Sequence, residues 1–215
     1  NEDKNDLVKK LNLGEVGEEL VDLLSPEKLL DILKNFSLFS TNKKKQRSKI
    51  ICRFQQYEGA NKIVERVVEG KEKKGLIWHF QGSGKSLLMV FAAQKLRKLA
   101  ELKSPTVLVL VDRIDLDTQI SGTFNAADIP NIETTENIRE LQKLLELDTR
   151  KIIISTIHKF RDAKPDLNSR DNIIVLVDEA HRTQEGDLGR QMRAALPNAF
   201  LFGLTGTPVN KIDKN

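Results

Sequence analysis

Between Gly75 and Ser86 the sequence reads GLIWHFQGSGKS, and this stretch leaves few folds open. An apolar run, Leu76-Ile77-Trp78, stops at a polar glycine-rich turn, and the turn ends in Gly84-Lys85-Ser86 ahead of a helix-forming segment over 87–99. Strand, tight turn and helix in that order make a phosphate-binding loop. Gly82 and Gly84 lack a Cβ, so the backbone can fold closely around a polyphosphate at the start of a helix, where the dipole favours anions. Lys85 is placed to reach the phosphates and Ser86 to offer a hydroxyl to Mg²⁺, with Gln81 and Ser83 completing the loop. One position departs from the G-x-x-x-x-G-K-[ST] pattern: His79 stands where the first glycine belongs.

The rest of the chain fits a sheet that carries such a loop. Strand-like apolar runs fall at 76–78, 107–111, 152–154, 173–177 and 200–204, and helical patterns at 87–99, 116–120, 138–147 and 188–196. Near-continuous Val/Ile/Leu runs alternating with helices give an α/β fold, a parallel β-sheet covered by helices on both faces. In such sheets ligands lie beyond the carboxyl ends of the strands. Upstream, residues 1–35 carry helical spacing, with Ser25-Pro26 read as an N-cap and first-turn proline, and 36–39 reads as a short extended piece. Residues 41–49, TNKKKQRSK, are a basic stretch with two readings, a phosphate contact or a solvated linker, the second favoured. A helix is expected over 50–69. The division expected is 1–49, a small N-terminal helical appendage and basic linker, and 50–215, the lobe that carries the phosphate loop.

Two further strand ends carry chemistry. The run 173–177 enters Asp178-Glu179-Ala180-His181, which sets two carboxylates at the sheet edge that holds the phosphate loop. Asp178 is then a candidate Mg²⁺ ligand, and Glu179 the base for water attacking the γ-phosphate. The plainer alternative is a pair of carboxylates at a helix start. The run 200–204 ends in Thr205-Gly206-Thr207-Pro208, whose hydroxyls stand beside the acids.

GSGKS, DEAH and TGTP in this order resemble the first motor lobe of superfamily 2 helicases and translocases. The wording around them, IWHFQGSGKS, VLVDR, ISTIHKF and VDEAHR, resembles the motor (R, HsdR-type) subunit of type I restriction enzymes, and the likeness spans nearly the whole chain. What the resemblance implies is a P-loop NTPase with a RecA-like lobe, ATP and Mg²⁺ as cofactors, and coupling of ATP hydrolysis to translocation on double-stranded DNA before cleavage. It also implies modification (methyltransferase) and specificity subunits as partners. By the same likeness Gln56, with Arg53 before it, reads the adenine edge. Arg113, Thr156 and Lys159 track a DNA strand, and His181, Thr205 and Thr207 couple the nucleotide to it. Phe80, Ser86 and His158 depart from the residues expected there, threonine twice and glutamine once. A second lobe with an arginine finger and a nuclease core are not visible, so the chain reads as part of a larger subunit, weakly active alone. Other readings stay open: another superfamily 2 enzyme, such as a type III restriction subunit or RNA helicase, or a nucleotide-gated binding module without turnover.

Composition adds bounds rather than identity. Lys and Arg number 35 against 31 Asp and Glu, a net charge of +4, which accommodates nucleic acid without requiring it. The single cysteine, Cys52, forms no internal disulfide, and no apolar run is long enough for a bilayer, so no membrane and a cytoplasmic setting are expected.

Overall fold

A computed structural model describes residues 21–41, 45–80, 82–111, 122–125, 127, 129–147, 149–178 and 186–206. Six strands form one parallel sheet: β3 (Lys74–Trp78), β4 (Thr106–Val111), β5 (Ile132–Thr134), β6 (Ile152–Thr156), β7 (Ile173–Asp178) and β8 (Phe200–Thr205). Their order across the sheet is β3-β8-β7-β4-β6-β5. The five expected strands are all present. The three-residue β5, beside β6, is additional, and IET is too short and polar to signal itself.

The alternation within each strand explains why these runs are apolar throughout. Val107, Val109 and Val111 of β4 and Ile174 and Leu176 of β7 enter one buried cluster. Leu108, Leu110, Ile173, Val175 and Val177 enter the other. Each strand therefore needs a hydrophobic residue at every position, the signature of a sheet sandwiched between helical layers. The first cluster is closed by α2 (Phe54–Glu69) and α3 (Lys85–Lys98), the second by α4 (Ile138–Glu146) and α5 (Asp187–Ala195). The helix expected over 116–120 lies outside the described residues.

The N-terminal region corrects two expectations. Helix α1 (Pro26–Asn35) does start with proline in its first turn, but the Ser25 hydroxyl donates to the Asp22 carbonyl at 2.8 Å and makes no cap bond to the helix. The stretch read as a linker is half strand: β1 (Ser37–Thr41) and β2 (Arg47–Ile51) pair antiparallel, so α2 begins at Phe54 rather than at 50. The polar, basic sequence RSK hides a strand because all three residues face solvent and only Ile50 of β2 packs against the core. Ile32, Phe36 and Leu38 are buried in the same cluster as α2 and α3.

A polar knot secures α1 to the lobe. The Lys95 ammonium on α3 donates to both Asp31 carboxylate oxygens (2.8 and 2.7 Å) and to Asn61 Oδ1 of α2 (2.7 Å). Burial pushes the Asp31 carboxyl up, but the bonds from Lys95 and Asn35 outweigh it and hold the group below its ordinary value. Burial and the neighbouring Asp31 charge push the Tyr57 phenol up to about 12. Among the described residues no helix is long and apolar enough to cross a membrane.

Candidate nucleotide site

The phosphate loop leaves the sheet from β3 and enters α3 at Lys85. Gly82 and Gly84 sit at φ 80° and 87°, the left-handed region that side chains resist. At Gly84 a second constraint applies: an added Cβ would stand 2.3 Å from Gln56 Nε2. A side chain there would have to push the Gln56 amide aside as well as adopt a strained φ. The first turn of α3 carries no acidic residue, so the positive end of its dipole faces the loop without an internal carboxylate.

Two side chains hold the loop from behind. Gln56 is 2% exposed, and its amide nitrogen donates to the carbonyls of Gly84 (3.1 Å) and Ser83 (3.4 Å). Its Oε1 accepts from the Arg53 backbone N–H at 2.9 Å, which ties the start of α2 to the same knot. Gln56 is thus a buried tie between the start of α2 and the loop, not a surface residue. His79 is the second tie. Its Nε2 lies 3.2 Å from the Gln55 carbonyl and its Nδ1 2.8 Å from Ser83 Oγ. A carbonyl only accepts, so Nε2 donates to it, and in the neutral ring Nδ1 then accepts from the serine hydroxyl. The residue that marked a departure from the loop pattern is thus a buried strut between α2 and the loop. Spacing gave one clue, a ring with a donor and an acceptor four positions before a loop serine.

Those of the other expected residues that the structure describes lie along the same edge. Trp78, the last residue of β3, pairs with Thr205 of β8, and Leu204 pairs with Asp178 of β7. Phosphate loop, Thr205 and Asp178 thus occupy three successive strand ends, with neighbouring strands about 4.8 Å apart. The His79 N–H donates to the Thr205 carbonyl at 2.9 Å, and the Trp78 indole N–H to the Gly206 carbonyl at 3.1 Å. Asp178 and Thr205 are both buried there. Thr156 closes β6 two strands beyond β7, also buried, and Lys159 follows in a short 3₁₀ turn, donating to the Thr135 carbonyl. Ser86 lies in the first turn of α3. Gln81, Arg113, Glu179, His181 and Thr207 fall outside the described residues.

A glycine cradle at a helix start, a lysine and serine in its first turn, and a carboxylate across one intervening strand suit a nucleoside triphosphate with a divalent cation. A glycine loop of phosphate-binding pattern on the edge of a helix-covered parallel sheet defines the class, the RecA-like lobe of a P-loop NTPase. Solved structures agree on the fold. The UvsW helicase from bacteriophage T4 superposes with a TM-score of 0.57 at 19% identity, over 86% of this chain and 61% of that one. The SWI2/SNF2 ATPase core of Sulfolobus solfataricus, in complex with dsDNA, gives 0.57 at 18% identity over 76% and 34%. Residues 55–215 match the SWI2/SNF2 ATPase family, and the chain belongs to it. Among curated relatives, the type I restriction enzyme HindI endonuclease subunit of Haemophilus influenzae is 37% identical over 90% of this chain and 21% of its own length. A putative type I restriction enzyme endonuclease subunit of Methanocaldococcus jannaschii, MjaIXP, is 35% identical over 91% of this chain and 19% of its own length. The resemblance drawn from the motifs is borne out, and the chain spans about a fifth of the length of these relatives.

Proposed function

We propose that this chain is the ATP-binding motor lobe of a type I restriction subunit, coupling ATP hydrolysis to translocation along double-stranded DNA before cleavage. In this reading residues 50–215 form the lobe, 1–49 an appendage, and the complex includes modification and specificity subunits in the cytoplasm. One observation carries it: the sheet order β3-β8-β7, which brings the phosphate loop, Thr205 and Asp178 to neighbouring strand ends. The bound cation supplies charge neutralisation for the phosphates and orientation of the transferred group. Lys85 and the loop amides at Gly82, Ser83 and Gly84 bind the phosphates, with Gln81 beside them, and Ser86 and Asp178 hold the cation. Glu179 takes the proton of the attacking water. Gln56 and Arg53 form the adenine end. His181, Thr205 and Thr207 relay the phosphate state, and Arg113, Thr156 and Lys159 contact the DNA backbone.

The test uses the natural protein that contains this sequence. Glu179→Gln should retain ATP binding while losing DNA-stimulated hydrolysis by at least about 100-fold, the scale of a lost general base. Lys85→Ala should lose nucleotide binding itself. Duplex DNA should stimulate the wild type. Stimulation by RNA alone points to an RNA helicase, and a wild type that binds nucleotide without hydrolysing it points to a binding module; either result overturns the proposal.

A further inference from the structure

From 32 to 57 the chain contains no acidic residue and seven cations: Lys34, Lys43, Lys44, Lys45, Arg47, Lys49 and Arg53. The whole chain is nearly balanced, 35 cations against 31 anions, so a stretch of this kind is a local excess and not an average property. The β1–β2 ribbon organises part of it. Its register pairs Thr41 with Arg47, Phe39 with Lys49 and Ser37 with Ile51, which puts these six side chains on one face. The opposite face holds Leu38, which is buried, and Ile50, which packs against the core. One face therefore fastens the ribbon, and the other presents Arg47 and Lys49 around a Phe39 that is 46% exposed, with Ile51 56% exposed beside them. The Arg47 guanidinium lies 4.3 Å from the Phe39 ring centroid, a stacked pair left open to solvent.

The ribbon is rooted next to the nucleotide site. Cys52 N–H donates to the Phe36 carbonyl at its base, and two residues later α2 begins, the helix whose Gln56 grips the phosphate loop. A solvated linker does not need two paired strands, a buried anchoring face and an aromatic ring among its cations. We propose that the outer face of the β1–β2 ribbon is a second, sequence-independent contact for duplex DNA, in which Arg47 and Lys49, with the exposed Lys45 of the adjoining turn, neutralise phosphates and Phe39 packs against the sugar-phosphate surface. The partner is a polyanion because the face offers cations without a single carboxylate, and duplex DNA because the proposed motor acts on it. The inference rests on that reading. A contact here lies outside the motifs that line the sheet edge and adds grip on the substrate without touching the nucleotide.

Three variants of the natural full-length protein test it, Lys45→Ala/Arg47→Ala/Lys49→Ala, Phe39→Ala and Lys45→Arg/Lys49→Arg, with affinity for a random-sequence duplex followed by anisotropy across a salt series. Each neutralised phosphate contributes about 0.9 to the log–log salt slope, so the triple variant should flatten the slope by roughly two to three units and weaken binding about tenfold or more at low salt. Phe39→Ala should weaken binding with the slope unchanged. Lys45→Arg/Lys49→Arg should bind as the wild type does. Hydrolysis without DNA should be the same in all four proteins, which shows that the lobe is folded. A triple variant with wild-type affinity and slope overturns the inference and leaves the motor reading standing. A wild-type protein that ignores duplex DNA overturns both.

Discussion

β7 and β3 both end in residues of the candidate site, yet they are held in opposite ways. Every residue of β7 is buried, and its side chains alternate between the two hydrophobic clusters. β3 is at the end of the described sheet order, and two of its residues, Leu76 and Trp78, are 59% and 69% exposed. The Asp178 half of the site is thus positioned by packing. The phosphate loop half is positioned by a few directed bonds: Gln56 to the loop carbonyls, His79 to Ser83, and Trp78 to Gly206. A hydrophobic core fixes its strands collectively and tolerates small adjustments, whereas each hydrogen bond in such a set is singular.

The sharpest way to break this contrast is to place the same charge in both strands. Val175→Asp buries a carboxylate between sheet and helices and should destabilise by more than about 4 kcal/mol, whereas Leu76→Asp should stay within about 0.5 kcal/mol. Denaturant midpoints of the two variants measure it, and comparable losses would show that β3 is as enclosed as β7. Next in size is Gly84→Ala. The left-handed backbone costs about 1–2 kcal/mol for a side chain, and the displaced Gln56 loses bonds worth about 1 kcal/mol each. Adding Gln56→Ala relieves the clash, so the double variant should cost less than the sum of the two singles; simple additivity would mean that the two residues do not press on each other. The smallest effect belongs to His79→Phe, which keeps an aromatic ring but offers neither nitrogen. Ser83 Oγ and the Gln55 carbonyl each lose a partner, for about 1–2 kcal/mol by thermal melting. A neutral outcome would mean that His79 fills space rather than ties the loop.

The same contrast governs what the sequence disclosed. The central strands are legible because a strand buried on two faces is apolar throughout, as 107–111 and 173–177 are, whereas β3 is legible from the short apolar run that precedes the glycine turn. The glycine turn leading into a helix, and Asp178 at a strand end beside it, are legible because a loop suited to phosphate and cation restricts residue type at fixed spacing. β2 was not, since Arg47, Ser48 and Lys49 meet solvent and follow no apolar alternation. The grip of Gln56 on the loop was hidden too, because it joins positions 28 apart through a backbone carbonyl, which has no residue identity to read. Ser25 misled for a related reason: its hydroxyl had a carbonyl acceptor at Asp22 as well as the helix amides, and the sequence holds both options equally.

The position of β8 has a mechanical corollary. It is wedged between the strand that delivers the phosphate loop and the strand that delivers Asp178, paired to both, and at its exit the Trp78 indole fastens Gly206. A pull on the polypeptide beyond that glycine enters the sheet at the seam between the loop and the acid, so a single small displacement of one strand is felt by both.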